Sequence, residues 1–166
     1  MDDRREFSLE KAVQQSREGR HEEARIAMLE LLEQHGESAK LMYELASIHD
    51  RLGLEREAVP YYERSLELGL GEPERPEALL GLGSTYRVLG EYDQAQRVLG
   101  NAVEAYPNHA ELRVFLAMAL HNQGRHAEAM KLLLDEIADH SAHEGVQSYQ
   151  RAIRFYADRL DEVWTK

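Results

Sequence analysis

Eight histidines, a pair of closely spaced glycines and several adjacent carboxylates are the places where this sequence could carry chemistry. Imidazoles could hold a transition metal or move protons. His121 and His126 are five apart with Gly124 between them, which misses the i, i+4 spacing that sets two ligands on one helix face. His140 and His143 could meet across a turn, but two imidazoles there would make only a weak, adventitious metal site. Gly81-Leu82-Gly83 has the look of a phosphate loop, yet it lacks the following lysine and lies inside a helical pattern with no strand before it. Glu22-Glu23, Glu128 and Asp135-Glu136 could supply an acid and a base, but they fall where predicted helices turn a charged face to water. No serine sits in a Gly-x-Ser-x-Gly elbow. The absence of cysteine excludes disulfides, thiolate metal sites and a cysteine nucleophile. We therefore expect no enzyme activity, no metal site and no cofactor.

The residues fall instead into a register. Gly19, Gly53, Gly90 and Gly124 recur at intervals of 34, 37 and 34 residues, and each precedes an alanine by five: Ala24, Ala58, Ala95 and Ala129. A period near 34 marks stacked helix–turn–helix units. The third unit is the clearest. Leu79, Leu82, Gly83 and Tyr86 fall on one helix face, Gly90 breaks the helix, and Ala95, Leu99 and Ala102 form a second stripe that Pro107-Asn108 ends. The histidines mostly share columns with aromatic residues. His21 and His126 match Tyr92, His35 and His140 match Tyr106, and His49 matches Tyr86.

This pattern resembles the tetratricopeptide repeat, with Leu82, Gly83, Tyr86, Ala95 and Pro107 at its characteristic places and Leu79 where that family has tryptophan. The resemblance implies an all-α, right-handed solenoid of four repeats over about residues 5–38, 39–72, 76–109 and 110–141, in one domain spanning 1–166. The first repeat has Ser8, Lys11 and Gln15 in place of large residues, as suits a terminal unit with no neighbour on one side. Leu70 to Pro76 reads as a loop holding the three extra residues of the longer interval, with Pro76 in the first turn of the next helix. Pro60 lies within the second helix of repeat two, which should start late or bend.

The resemblance also implies a concave groove, lined by the first helix of each repeat, that takes a peptide or helix. Its floor would be Leu9, Val13, Tyr43, Ser47, Leu80, Ser84, Val114 and Met118, with Asp50, Arg51, Arg87 and His121 on the far side. Acids near the starts of these helices (Glu6, Glu77, Glu111) and arginines near their ends (Arg17, Arg51, Arg87) fit helix dipoles singly, and together would give the groove an acidic and a basic edge. The family's carboxylate clamp needs lysine and asparagine where this chain has Leu9, Val13, Tyr43 and Ser47, so a chaperone co-factor role is not expected.

After Ser141 the period stops. Val146, Tyr149, Ile153, Tyr156, Leu160 and Val163 form an apolar stripe that reads as one helix over about 143–164. It would cap the fourth repeat. Phe155 and Trp164 lie off the stripe and widen the apolar face, which with Tyr149 and Tyr156 would offer a surface for a second copy of the chain. This layout is similar to small stand-alone bacterial tetratricopeptide proteins, a likeness that implies a homodimer. A net charge of −11 without basic clusters argues against nucleic acid or an anionic membrane as partner. The charged start MDDRREF has no signal-peptide core, and we expect a cytoplasmic protein whose partner is another protein or peptide.

Overall fold

The computed structural model describes residues 2–165, which hold nine α-helices and no strand. The helices are α1 (Asp2–Arg17), α2 (His21–His35), α3 (Ala39–Arg51), α4 (Glu55–Glu67), α5 (Glu74–Val88), α6 (Tyr92–Ala105), α7 (Ala110–Asn122), α8 (His126–His140) and α9 (Glu144–Ala157). They fall into two compact units, Met1–Glu91 with α1 to α5 and Tyr92–Lys166 with α6 to α9.

The register glycines make the turns. Gly19, Gly53 and Gly124 have φ of +85°, +72° and +78°, a left-handed conformation that a side chain would strain. The residue after each glycine donates its N–H five residues back: Arg20 to Gln15, Leu54 to His49 and Arg125 to Leu120, at 2.9–3.0 Å. This closes off carbonyls at the end of the first helix that would otherwise be unpaired. Residues on either side of such a turn are thereby fixed relative to one another.

In the first unit α1 packs on α2 and α3, α3 on α4 and α5, and α4 on α5. Leu9, Ala12, Ala24, Met28, Leu31, Leu41, Met42, Leu45 and Ile48 form its apolar centre around the first two repeats. Ala24 and Ala58 are fully buried, so the small column lets helices approach closely. Ser38 caps α3 by accepting a hydrogen bond from the Leu41 amide at 3.3 Å. In the second unit α6, α7, α8 and α9 pack in order, each on the next, over Ala95, Leu99, Leu112, Leu116, Leu120 and Ala129.

Three expectations meet a different structure. α4 starts at Glu55 and runs through Pro60 without a late start. The proline removes the N–H that would meet the Arg56 carbonyl, but both residues lie on the exposed side, where water can take that carbonyl. α5 begins at Glu74, so the end of the expected loop already belongs to a helix, and Pro76 sits buried in its first turn. The last helix ends at Ala157 rather than reaching residue 164. Asp158 pairs with Lys131 of α8 at 3.0 Å, which draws the chain back, and the acids that follow would oppose the negative end of a longer helix.

Candidate binding site on the first unit

α1, α3 and α5 run in the same direction, as the side chains bridging them show. Near the helix starts, the Tyr43 hydroxyl donates to Glu77 Oε2 at 2.7 Å and Lys40 lies 3.7 Å from Glu74. Near the ends, Arg51 donates to Ser16 Oγ at 3.0 Å, and Thr85 Oγ1 donates to Asp50 at 2.9 Å. Between α1, α3 and the start of α5 lies a cavity of about 790 Å³. Leu9, Val13, Tyr43 and Ser47 line it together with Arg51, five of the residues that the sequence places in a groove.

The walls are more charged than an apolar floor implies. Glu6, Glu10, Glu44, Glu74 and Glu77 line the cavity alongside Lys11, Arg17, Lys40 and Arg51. Glu74 and Glu77 stand at the start of α5, Glu44 stands midway along α3, and Arg17 and Arg51 stand at the ends of α1 and α3. Burial holds the Glu44 carboxyl above its ordinary value, against the pull of Lys40, Arg51 and Arg17. Burial, and then the bond to Glu77, raises the Tyr43 phenol further above its ordinary value, and it stays a neutral donor. Leu9 belongs to the core, at 6% exposure, and only borders the cavity.

Other expected groove residues stand elsewhere. Asp50 turns away from the cavity and accepts from the Tyr62 hydroxyl at 2.8 Å as well as from Thr85, tying α3 to α4 and α5. Leu80, Ser84 and Arg87 do not line the cavity, and α5 reaches it through Glu74 and Glu77 instead. Val114 is half-buried in the second unit, while Met118 and His121 are exposed there. Glycine at 81 has its own reason. A Cβ there would lie 2.5 Å from the Tyr62 hydroxyl oxygen, so the missing side chain leaves room for the phenol that reaches Asp50.

The reactive-looking groups are mostly absorbed by packing. His49 is 4% exposed, donates from Nδ1 to the Leu45 carbonyl at 2.6 Å and lies 5.0 Å from the Tyr61 ring, the structural aromatic that its column implies. Glu22 pairs with Arg25 and Glu128 with Arg125 on exposed surfaces. Glu136 departs from the expected solvated face: its side chain is 12% exposed and is bonded to Arg113 of α7. His140 Nδ1 lies 3.0 Å from the other Glu136 oxygen. The i, i+5 pair does meet, contrary to its spacing along a helix, because the turn folds His126 back until its Nδ1 lies 3.1 Å from that of His121.

Phe155, Tyr156 and Trp164 form an exposed aromatic cluster, with ring centroids 5.3–6.3 Å apart and the Arg159 guanidinium 4.3 Å over Phe155. Trp164 reaches this cluster from beyond the helix by folding back on it. Tyr149 is also exposed, on α9. Among the described residues no helix is long and apolar enough to cross a membrane.

Repeated helix pairs joined by left-handed glycine turns, with a cavity on the face of their first helices, define a repeat scaffold for protein–protein contact. The family model of the tetratrico peptide repeat matches residues 39–160, and the chain belongs to that family. The match begins after the first repeat, whose first helix lacks the large residues of the pattern.

The fold is similar to YrrB, described as a tetratricopeptide protein with an unusual peptide-binding site, at TM-score 0.71 and 20% identity over 85% of this chain and 71% of that one. It is also similar to MamA from Desulfovibrio magneticus, at TM-score 0.69 and 22% identity over 93% and 89%. Among curated proteins, the probable biofilm formation methyltransferase WspC of Pseudomonas aeruginosa is 36% identical over 80 residues. That match covers 48% of this chain and 18% of the length of the methyltransferase.

Proposed function

We propose that the chain is a non-catalytic binding module whose first unit takes an extended or helical segment of a protein partner along α1 and α3. The polarity of the cavity is the observation that carries this reading. Glu74 and Glu77 stand at one end with Lys40 beside Glu74, Arg17 and Arg51 stand at the other, and Val13, Tyr43 and Glu44 lie between. A fitting segment places a lysine or arginine at the glutamate end, a carboxylate at the arginine end and an apolar residue over Tyr43. The peptide-binding site named for YrrB is consistent with such a use of the fold. The methyltransferase match is too short a part of that protein to bring methyl transfer to this chain.

Selection from a displayed peptide library tests the reading. The wild-type chain is expected to enrich peptides pairing a basic with an acidic residue, bound more weakly as salt rises. Reversing both Arg17 and Arg51 to glutamate is expected to remove the acidic preference and weaken the selected peptides by about tenfold or more. A pool without charge preference, or one unchanged by the reversal, would sink the proposal.

The aromatic cluster favours a second reading, self-association through the C-terminal segment. Phe155, Tyr156 and Trp164 together expose more ring surface than a solvated cap needs, and such patches mark contact sites. Sedimentation at micromolar concentration is expected to show a dimer that dissociates when Phe155 and Trp164 are both replaced by aspartate. A wild-type monomer at every concentration would overturn this reading and leave the cavity proposal standing.

A further inference from the structure

The repeat turn brings two positions together across the break between its helices. In the first repeat Ser16 Oγ lies 3.5 Å from His21 Nδ1. In the second, the equivalent residues are Asp50 and Glu55, and the charge of Glu55 contributes to holding the Asp50 carboxyl up. In the fourth they are His121 and His126, with ring centroids 4.6 Å apart. The turn thus brings these columns into contact in the first and fourth repeats, and the fourth fills both with imidazole.

We propose that His121 and His126 form a bidentate site for a divalent transition metal of the zinc, nickel and copper class. Two nitrogens bound to zinc at ~2.0–2.1 Å in tetrahedral geometry lie about 3.3 Å apart. The Nδ1 atoms stand 3.1 Å apart, so closing on a metal needs a shift of only a few tenths of an ångström. Imidazole suits these metals, whereas magnesium and calcium demand oxygen.

The turn fixes both ligands. The Gly124 amide donates to the His121 carbonyl at 3.0 Å and the Arg125 amide to the Leu120 carbonyl at 2.9 Å. Arg125, the cation nearest in sequence, is held on Glu128 at 2.5 Å. Both imidazoles are exposed, so a metal can reach them from solvent and keep its remaining positions for water. On binding, the imidazole that carries its proton on Nδ1 passes to the Nε2–H tautomer by exchange with solvent, so that both rings stay neutral and each Nδ1 gives its lone pair to the metal. No residue is oxidised or reduced.

Calorimetric titration of the full chain with zinc chloride tests this. Wild type is expected to bind one equivalent more tightly than the single imidazoles elsewhere on the surface. Chelation makes the second ligand intramolecular, so His121→Ala or His126→Ala should each weaken binding by about tenfold or more. Because either loss destroys the chelate, the double variant should be little worse than either single one. His140→Ala with His143→Ala should leave this equivalent unchanged. Circular dichroism would confirm the fold, with His121→Gln and His126→Gln as second variants if an alanine disturbs the turn. Affinity within twofold of wild type in either single variant, or losses that simply add, would overturn the site.

Discussion

Asp50→Ala is expected to destabilise the first unit by about 2–3 kcal/mol in a denaturant titration, because it strands a buried phenol whose acceptor among the described residues is this carboxylate. The Tyr62 hydroxyl is 2.8 Å from Asp50 Oδ2, and its residue is 4% exposed. Thr85 is affected less, since its hydroxyl also reaches the Gly81 carbonyl at 2.8 Å and can donate there instead. Removing both hydroxyls along with the carboxylate, as in a Asp50→Ala, Tyr62→Phe, Thr85→Val triple variant, should recover part of the loss by leaving no donor unpaired. Equal losses in the single and triple variants would show that the carboxylate does not organise this junction.

Asp50→Asn separates the charge from the hydrogen bonds, since the amide keeps one acceptor oxygen. Burial raises the Asp50 carboxyl above its ordinary value of 3.8, and the bonds from Tyr62 and Thr85 only partly oppose this. The folded chain therefore holds that proton more tightly than the unfolded chain does. The corresponding stability is fully present below the unfolded value and is lost as pH rises through the folded one. The stability of wild type relative to Asp50→Asn is thus expected to fall as pH rises from about 4, in paired melts at constant ionic strength. A difference that stays flat, or that grows with pH, contradicts this account.

Asp50 also shows what the sequence could and could not disclose. The glycine and alanine columns lie along the chain, so the helix pairs and turns were legible from spacing alone. Tyr43, Ser47 and Arg51 reached the cavity because their column faces the inner side of a first helix. Asp50 shares that helix but answers to partners on α4 and α5, which periodicity cannot name. The charge of the cavity was half visible: the acidic and basic helix ends could be read, but not the joining of Tyr43 to Glu77, residues 34 apart. His121 and His126 were misplaced for a related reason. A spacing rule written for continuous helices fails where a left-handed glycine folds one helix back beside the next. The end of α9 escaped the apolar stripe because Lys131, on another helix, holds Asp158.

In the second unit Glu136→Ala is expected to cost about 3 kcal/mol, since it leaves the Arg113 guanidinium largely buried without its anion. Arg113 and Glu136 side chains are 19% and 12% exposed, and their bond joins α7 to α8. The Pro107 carbonyl still accepts from Arg113 Nη1 at 2.7 Å, which softens the loss without neutralising the charge. Replacing the pair together, as Arg113→Met with Glu136→Leu, should restore most of the stability, because burying two apolar side chains avoids the desolvation that the ions suffer. A double-mutant cycle on alanine variants is expected to give a coupling above about 1 kcal/mol, more than an exposed pair such as Arg125–Glu128 supplies. Additive losses would mean that the two side chains stabilise the unit by separate packing, and that the ion pair itself contributes nothing.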